Sequence, residues 1–185
     1  MIPEGDHRER DVCPSCAFIH YINPRPVAGA IVLSAGKVLL CRRAIEPRVG
    51  FWTTPGGFQE IDESTADAAR RETMEEACAT IHIEGLLALL DIEHLGQTYS
   101  IYRGTMEGDH APGDESQETR LFDLDEIPWD EMAFPVLSLA LRWFVEEHAE
   151  SRFYVHTGTV SWNGNGSRWD AANYLVKGHL RQALA

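Results

Sequence analysis

Apolar residues in the first half of the chain alternate or run together in a way that predicts strands. Val27–Ser34 and Lys37–Arg43 are rich in aliphatic and β-branched residues, and Ala35-Gly36 between them predicts a hairpin turn. Phe51–Thr54 is a further short strand, which we expect Pro55-Gly56-Gly57 to stop. Two glycines after a proline let a backbone come close to a ligand, so this turn is a candidate part of a site.

The next segment predicts a helix from about Thr65 to Ala77. Ser64 is a good N-cap, and Asp67, three residues later, is its capping-box partner. The residues of this helix that are small enough to pack closely on a sheet are Ala66, Ala69 and Thr73.

Beyond this helix, strands, loops and a second helix follow without a strict βαβ rhythm. In chain order we predict strands at Ala79–Glu93 and Thr98–Met106, an acidic loop at Glu107–Gln117, a strand at Arg120–Phe122, an irregular stretch at Asp123–Ala133 and an amphipathic helix at Leu137–His148. This order favours an α/β fold with a mixed sheet between helices.

The chain divides into three segments by its patterning. We expect an N-terminal arm over residues 1–26, a core domain over 27–150 and a C-terminal extension over 151–185. In the extension, Trp169–Leu184 is interpreted as a helix that begins at Asp170 and is interrupted at Gly178. Such a helix covers a dimer partner or packs on its own domain.

Composition narrows the class of protein. At 185 residues with 44% hydrophobic residues, the chain fills a core of ordinary size. No apolar run is long enough to span a membrane, and the charged first residues lack the apolar stretch of a signal peptide. Four cysteines do not form a disulfide framework, so we expect a reducing cytoplasm, with Cys41 and Cys78 as buried small hydrophobic residues.

The net charge of −13 argues against nucleic acid or an anionic membrane as the main partner. It leaves room for a small anionic substrate, since a bound cation and local arginines reverse the potential inside a site.

Three glutamates of the predicted helix stand at i, i+3 and i+4 and therefore share one face: Glu72, Glu75 and Glu76. Crowded carboxylates repel one another, and a divalent cation would offset that cost. Carboxylate oxygens suit Mg²⁺ or Mn²⁺. The chemistry that such a site suggests is metal-assisted attack of water on a phosphate chain.

The segment from Gly57 to Ala79 resembles the Nudix box, written G-x5-E-x7-R-E-U-x-E-E-x-G-U, where U is aliphatic. All six G, E, R, E, E and E positions match, with both gaps correct. Thr73 replaces the first aliphatic residue, and Cys78 replaces the last glycine. If that glycine has a positive φ, a Cβ there costs about 1 kcal/mol, so we expect a shifted helix end with no metal ligand lost. The Nudix fold, a mixed-sheet α/β/α sandwich, fits the predicted order of elements.

The resemblance extends over roughly residues 1–160. The segments CPSCAFIHYINPRPVAGAI, VLLCRRAIEPRVGFWTTPGGFQE and APGDESQETRLFDLDEIPWDEMAF resemble one Nudix subfamily. That subfamily includes bacterial proteins with an N-terminal zinc ribbon and the plant plastid pyrophosphatase that acts on ADP-ribose and FAD. FYVHTGTV resembles its tail, whereas the chain from Ser161 on has no counterpart in it.

The zinc ribbon departs from the subfamily pattern. Of its two Cys-x-x-Cys knuckles, this sequence keeps the second, Cys13 and Cys16, and Ala17 stands where the knuckle usually has glycine. A structural Zn²⁺ needs four ligands, so we favour a lost site with two buried thiols in a partly ordered arm. The alternative is Zn²⁺ held by Cys13 and Cys16 with His7 and His20, or shared between two chains.

The resemblance implies a role for each residue of the box. The implied metal ligands are Glu72, Glu75 and Glu76. Arg71 orients Glu72 by a charged hydrogen bond, and Gly56 and Gly57 offer a backbone carbonyl or close approach at the metal. Without a metal, the same glutamates are an ordinary solvated acidic helix face.

The catalytic residues that we name are Glu72, Arg71 and Glu118. The general base in this superfamily is often a box glutamate or a glutamate on a later loop. Glu118 precedes the strand Arg120–Phe122 at the position where some relatives use a glutamate near the metal. For Glu115, the other candidate, a surface carboxylate is the better interpretation.

Arginines and aromatic residues provide candidate substrate contacts. The candidate diphosphate ligands are Arg42, Arg43 and Arg48. Arg42 and Arg43 alternate across a strand, so at most one faces the site, and we choose Arg43. The aromatic residues that stack on a base or flavin, or else fill the core, are Trp52, Phe58 and Tyr102.

These features predict a hydrolase of nucleoside diphosphates linked to a second moiety X. ADP-ribose would give AMP and ribose 5-phosphate, and FAD would give AMP and FMN. The substrate rests on the subfamily resemblance alone. The proline that marks many ADP-ribose enzymes is missing, and Ile92, Glu93 and His94 occupy its region.

Competing functions remain within and outside this class. Hydrolysis of NADH is a weaker choice, because the segment resembling SQPWPFP that follows the box in NADH pyrophosphatases is missing. Hydrolysis of dinucleoside polyphosphates is a further possibility, and so is a non-catalytic nucleotide-binding sensor. Many relatives are homodimers, so we expect one here.

Overall fold

The computed structural model describes residues 1–183. Within that range, two α-helices accompany one large sheet and one small sheet. The strands are β1 (Asp11–Val12), β2 (Ile19–His20), β3 (Arg25–Ser34), β4 (Lys37–Arg43), β5 (Trp52–Thr53), β6 (Gly56–Phe58), β7 (Thr80–Ile92), β8 (Gln97–Glu107), β9 (Ser116–Phe122), β10 (Tyr154–Trp162) and β11 (Tyr174–Ala183), and the helices are α1 (Thr65–Ala77) and α2 (Pro135–Glu150).

The large sheet is mixed, as the sequence predicts. Its main path is β11-β10-β7-β8-β3-β4-β5, with β6 paired to β3 and β9 paired to β4. The pairs β3–β8 and β7–β10 are parallel, and the other pairs are antiparallel. β1 and β2 form the separate small sheet.

The two helices cover opposite faces of the large sheet. Along β3, Ala28, Ala30 and Val32 lie in the core on the α1 face, whereas Ile31 packs with α2. This two-residue alternation divides the core into two layers, so the predicted α/β/α arrangement is confirmed. The buried small residues of α1 are Ala68, Ala69, Thr73 and Ala77, while Ala66, which we expected among them, is half-buried.

Helix α1 has the predicted bounds and the predicted cap. The Asp67 backbone N–H donates to Ser64 Oγ at 3.1 Å. The expected shift of the helix end is wrong: Cys78 itself adopts the left-handed conformation, with φ 47°, and its N–H donates to Met74 O at 2.9 Å. The αL cap therefore forms with a non-glycine residue. Cys78 is exposed rather than buried, whereas Cys41 is buried as predicted.

The chain after the short strand β5 does not simply stop pairing. Gly56–Phe58 forms β6 and pairs antiparallel with Val27–Gly29 of β3. Sequence patterning missed this strand because glycines are poor strand formers. Here they allow close approach, since a Cβ on Gly56 would lie 2.8 Å from Gly29 Cα.

The predicted C-terminal helix is wrong. Tyr174–Ala183 is a strand, β11, paired antiparallel with β10, and Leu184 at the end of the predicted helix lies outside the described residues. Tyr174 and Val176 pack on the core and alternate with exposed neighbours, which is strand periodicity. Gly178, which we interpreted as a helix interruption, has φ +62° beside a register shift and marks a bulge.

The remaining predicted strands and the second helix are confirmed, with ends displaced by no more than about four residues. Within residues 1–183, no helix is both long and apolar enough to cross a membrane.

Candidate active site

Arg71 organises the acidic face of α1. Its guanidinium donates to Glu63 Oε1 at 2.7 Å, to Glu72 Oε1 at 2.8 Å and to Glu75 Oε2 at 3.0 Å. It also donates to the Phe58 carbonyl oxygen at 3.0 Å, which ties α1 to β6. One cation therefore offsets the repulsion among three carboxylates and orients Glu72, as the box resemblance implies.

Glu63 braces the loop between β6 and α1. Its carboxylate accepts from the Glu60 backbone N–H at 2.7 Å as well as from Arg71. Hydrogen bonds from Arg71 lower the pKa of Glu63. It stays an anion that fixes the loop next to the glutamates of α1.

Gly56 and Gly57 lie directly against the helix carboxylates. The Gly56 N–H donates to Glu76 Oε2 at 3.1 Å. A Cβ on Gly57 would lie 2.5 Å from Glu72 Oε2, so a side chain here would displace that carboxylate from its position. The Pro-Gly-Gly turn and the predicted metal ligands thus share one place.

Two of these carboxyls resist ionisation in this environment. Burial raises the pKa of Glu76 to about 8, against the opposing effect of the Gly56 hydrogen bond. Burial also raises the pKa of Glu72, although Arg71 opposes the shift. A buried carboxyl with a raised pKa gains from any cation placed beside it.

The donor set suits a hard divalent cation. It comprises carboxylates at one helix face with the Gly56-Gly57 backbone beside them, and oxygen donors are what Mg²⁺ and Mn²⁺ prefer. Across residues 1–183, no three acidic, histidine or cysteine side chains converge as a ready-made metal site. The physical reason is that Arg71 draws Glu72 and Glu75, while Glu76 turns to the Gly56 N–H.

The acidic loop before β9 brings a further glutamate to the cavity that the α1 glutamates line. The loop docks on the end of α1, where the Gly113 N–H donates to Glu76 O at 3.1 Å. A side chain on Gly113 would overlap Glu75 O, so glycine permits this contact. Glu115 lines the cavity, and its charge adds to the burial that raises the pKa of Glu72 and Glu76.

Glu118, our predicted catalytic residue, does not line that cavity. It is exposed on β9, opposite Arg42 in register, with Arg42 Nη1 3.9 Å from its Oε2. The catalytic role of Glu118 therefore stays a prediction, and its position opposite Arg42, outside the cavity wall, makes Glu115 the stronger candidate. Glu115 is a surface carboxylate, as the sequence predicts, but it also lines the cavity because its loop docks on α1.

Of the two neighbouring arginines, Arg43 faces the cavity and Arg42 does not. Arg43 is buried, its Nε donates to Pro47 O at 2.8 Å, and its guanidinium lies 4.9 Å from the Phe134 ring centroid. This fixes a positive charge beside the acidic end of the cavity. Arg48, the third candidate, is not part of the cavity wall.

A cavity of 1110 Å³ joins these groups. Glu72, Glu75, Glu76 and Arg43 line one part of it, and apolar side chains line much of the rest. Of the three candidate stacking residues, Phe58 lines the cavity. Trp52 packs edge-on against Phe122 in the core, and Tyr102 Oη contacts Thr65 Oγ1 at 2.5 Å.

Leu95 and Trp169 are among the cavity residues that the sequence patterns did not indicate. Both stand in turns, Leu95 just before Gly96 and Trp169 in a tract rich in Asn, Gly and Ser. A large apolar side chain in a turn-forming tract is unusual, and that is the sequence signal that could have identified both residues.

The N-terminal cysteines lie in a tight turn of the small sheet. Ala17 has φ +59°, the conformation for which glycine is usual, and its N–H donates to Cys13 O at 2.9 Å. Cys13 is half-buried and Cys16 is exposed, so the expected pair of buried thiols is wrong. Hydrogen bonds from Ser15 and Cys16 lower the pKa of the Cys13 thiol to about 6.

Comparison with known proteins places this fold and site in a family. The family model of the NUDIX domain matches residues 23–144, and that of the Nudix N-terminal region, a zinc-ribbon family, matches residues 1–22. The chain belongs to the Nudix hydrolase family and is an enzyme of that family. Nudix enzymes generally use a divalent metal such as Mg²⁺.

Individual relatives support this placement. A Nudix hydrolase from Nitrosomonas europaea of known structure is 43% identical, with a TM-score of 0.83, over 86% of this chain and 91% of that one. The ADP-ribose pyrophosphatase of Methanocaldococcus jannaschii is 29% identical over 66% of this chain and 76% of its own length. The NAD-capped RNA hydrolase NudC of Stutzerimonas stutzeri is 28% identical over 76% of this chain and half of its own length.

Proposed function

We propose that this protein is a Mg²⁺- or Mn²⁺-dependent pyrophosphohydrolase of nucleoside diphosphates linked to X, with ADP-ribose or FAD as substrate and AMP as product. The observation that carries the proposal is a single cavity holding the α1 glutamates, the Gly56-Gly57 turn and Arg43. Relatives named as ADP-ribose pyrophosphatases support ADP-ribose, and the subfamily resemblance supports FAD.

The cation, held by Glu72, Glu75 and Glu76, would supply positive charge against the diphosphate oxygens and polarise the attacking water. Arg71 keeps Glu72 and Glu75 in place before the cation binds, and Gly57 leaves space for the Glu72 carboxylate. Arg43 binds a diphosphate oxygen through its remaining N–H groups.

We assign the general base to Glu115 rather than to Glu118. A base needs to come within hydrogen-bond reach of the attacking water. Glu115 lines the cavity beside Glu72 and Glu76, and its loop is anchored by the Ala44 N–H, which donates to Glu115 O at 2.8 Å. Its carboxyl accepts a proton and releases it to solvent.

We further propose a homodimer in a reducing cytoplasm, with residues 1–26 as an arm, 27–150 as the hydrolase domain and 151–185 as an extension. Multi-angle light scattering checks the dimer. Zinc content of the purified protein, with Cys13→Ser as comparison, decides whether Cys13 and Cys16 hold zinc.

The test of function is AMP release from ADP-ribose, FAD, NADH and diadenosine polyphosphates, with Mg²⁺, with Mn²⁺ and with EDTA. We expect metal-dependent AMP release, fastest with ADP-ribose or FAD. Fastest turnover of NADH or of a dinucleoside polyphosphate would replace the proposed substrate with that compound. Folded protein that binds nucleotide but turns over none of the four would identify a sensor and overturn the proposal.

A further inference from the structure

Four large apolar side chains of the cavity are left open to solvent. Their exposed fractions are 39% for Ile45, 48% for Phe58, 50% for Leu95 and 44% for Trp169. They come from four separate places in the chain: the loop after β4, strand β6, the turn between β7 and β8, and the turn between β10 and β11. Their meeting in one cavity is a feature of the tertiary structure, since nothing in the sequence connects them.

Exposed apolar surface gathered in a cavity indicates a binding function. Water contact with apolar area is unfavourable, and a ligand that covers it regains that free energy. Small-molecule sites typically combine apolar walls with a few placed polar groups. Here the apolar part is continuous with the part that holds Arg43 and the α1 glutamates, so one extended molecule reaches both.

Trp169 is held in place by its own turn and by Arg48. The Trp169 N–H donates to Ser167 Oγ at 3.1 Å, and Asn173 Nδ2 donates to Ser167 O at 3.0 Å. The Arg48 guanidinium lies 5.1 Å from the Trp169 ring centroid and 3.3 Å from that of Phe51. The backbone of the turn is thus held by hydrogen bonds and the indole contacts Arg48 before any ligand arrives, which lowers the ordering cost of binding.

The two aromatic members favour a flat ring as occupant. The Arg25 guanidinium contacts the Phe58 ring, 4.8 Å from its centroid, and the Phe58 side chain is nevertheless half exposed. Aromatic side chains in this state stack on planar bases through their π faces. Leu95 and Ile45 add apolar area that suits the body of a ring better than a hydroxyl-rich sugar.

We propose that Trp169, together with Phe58, forms a subsite for the planar ring of the substrate, so that the turn between β10 and β11 determines specificity. This inference rests on the proposed function, since the ring is that of a nucleotide diphosphate. Trp169 lies outside residues 23–144, the part of the chain that the NUDIX domain matches. The ring is a nucleobase or an isoalloxazine, and the test separates the two.

The experiment measures the affinity of three mononucleotide-type probes by calorimetry in the presence of Mg²⁺: AMP, FMN and ribose 5-phosphate. Trp169→Ala is expected to lower the affinity for AMP, for FMN or for both by roughly tenfold, because loss of a stacking aromatic side chain typically lowers affinity about 5- to 150-fold. Ribose 5-phosphate has no aromatic ring, and its affinity is expected to change by less than about twofold. The probe whose affinity falls identifies the ring that binds at the subsite.

Two further variants make the result specific. Trp169→Phe keeps an aromatic face and is expected to retain affinity within about threefold. Leu180→Ala removes another exposed apolar side chain, from β11 and outside the cavity, and is expected to change nothing. Unchanged AMP and FMN affinities in folded Trp169→Ala, or equal weakening of all three probes, would overturn the ring subsite.

Because these probes are bound and not hydrolysed, the subsite and the hydrolase are tested separately. If Trp169→Ala lowers the affinity for AMP or FMN but the wild type hydrolyses no substrate, the ring subsite is supported and the proposed hydrolase is contradicted. If the wild type hydrolyses a substrate but Trp169→Ala leaves both affinities unchanged, the hydrolase is supported and the ring subsite is contradicted.

Discussion

Glu72, Glu75 and Glu76 are recognisable in the sequence from spacing alone, because helical periodicity fixes which residues share a face. Spacing does not show which partners hold each carboxylate or how deeply each is buried. Arg71 holds Glu72 and Glu75 by hydrogen bonds, whereas Glu76 is buried against the Gly56 N–H. Those differences follow from the contact between α1 and β6, which the types of residue in the two segments do not predict.

Gly57→Ala is expected to lower kcat/KM for the best diphosphate substrate by about tenfold or more. The added Cβ would lie 2.5 Å from Glu72 Oε2 and displace that carboxylate. Gly85→Ala is the matched control, because its Cβ meets only Arg103 Nη2, at 3.9 Å. Steady-state rates for both variants check this. Equal activity of the two would show that the close approach at Gly57 is irrelevant to the reaction.

Glu115→Gln is expected to lower kcat by about 10²- to 10⁴-fold, the usual contribution of a general base. Glu118→Gln is expected to leave kcat within about twofold, because Glu118 lies outside the cavity. Both rates are measured at saturating substrate and Mg²⁺. A loss confined to Glu118→Gln would make Glu118 the base, as the sequence pattern favours.

Glu76 makes the stability of the metal-free protein pH-dependent. Its pKa is raised from the ordinary value of 4.5 to about 8 in the folded protein. A raised pKa means that the favourable contribution is complete below about 4.5 and is lost as pH rises through about 8. Urea unfolding in EDTA across this window is expected to show a falling free energy of unfolding, with a shallower fall in Glu76→Gln. Identical slopes would contradict the burial of this carboxyl.

At the scale of elements, local sequence signals succeed where propensity, caps and periodicity agree. Helix α1 has Ser64 at its start, a helical apolar face and no competing turn residues, and its bounds are as predicted. The helix predicted for Trp169–Leu184 is wrong because the N-cap-like Asp170 favours a helix, whereas the alternation of Tyr174–Val176 indicates a strand. Asp170 does cap, but only a single 3₁₀ turn over Ala171–Asn173.

The strand β10 that precedes this turn is fastened to α2 by a buried ionic group. Glu147 contacts His156 Nε2, accepts from the Tyr154 N–H at 3.1 Å and lies 3.4 Å from Arg103 Nη1. Trp143 stacks on the His156 ring, with centroids 4.3 Å apart. This network therefore links β10 to α2 and, through Arg103, to β8.

Glu147→Ala is expected to lower the free energy of unfolding by about 3–5 kcal/mol, because it leaves Arg103 as a buried charge without its anion. Its exposed neighbour gives the control, and Glu146→Ala is expected to change stability by less than about 0.5 kcal/mol. Denaturant unfolding of both variants measures the difference. A small effect at Glu147 would mean that the network is solvated rather than buried.

At the scale of the whole molecule, the mixed sheet and the three-layer arrangement could be predicted because each strand and helix carries its own pattern. The order β11-β10-β7-β8-β3-β4-β5 could not, since pairing between distant strands leaves no local trace. The candidate site divides in the same way. The box residues lie in one segment and are recognisable from their spacing, whereas the presence of Glu115, Leu95 and Trp169 in the cavity depends on how separate loops fold.

The central claim is that the α1 carboxylates form a metal-dependent site for a diphosphate. The most direct measurement is the rate of Mg²⁺-dependent AMP release by wild type, Glu76→Gln and Glu146→Gln, with folding verified by circular dichroism. We expect the rate to fall by at least about 100-fold in Glu76→Gln and to stay at the wild-type value in Glu146→Gln. Wild-type turnover by folded Glu76→Gln would contradict it.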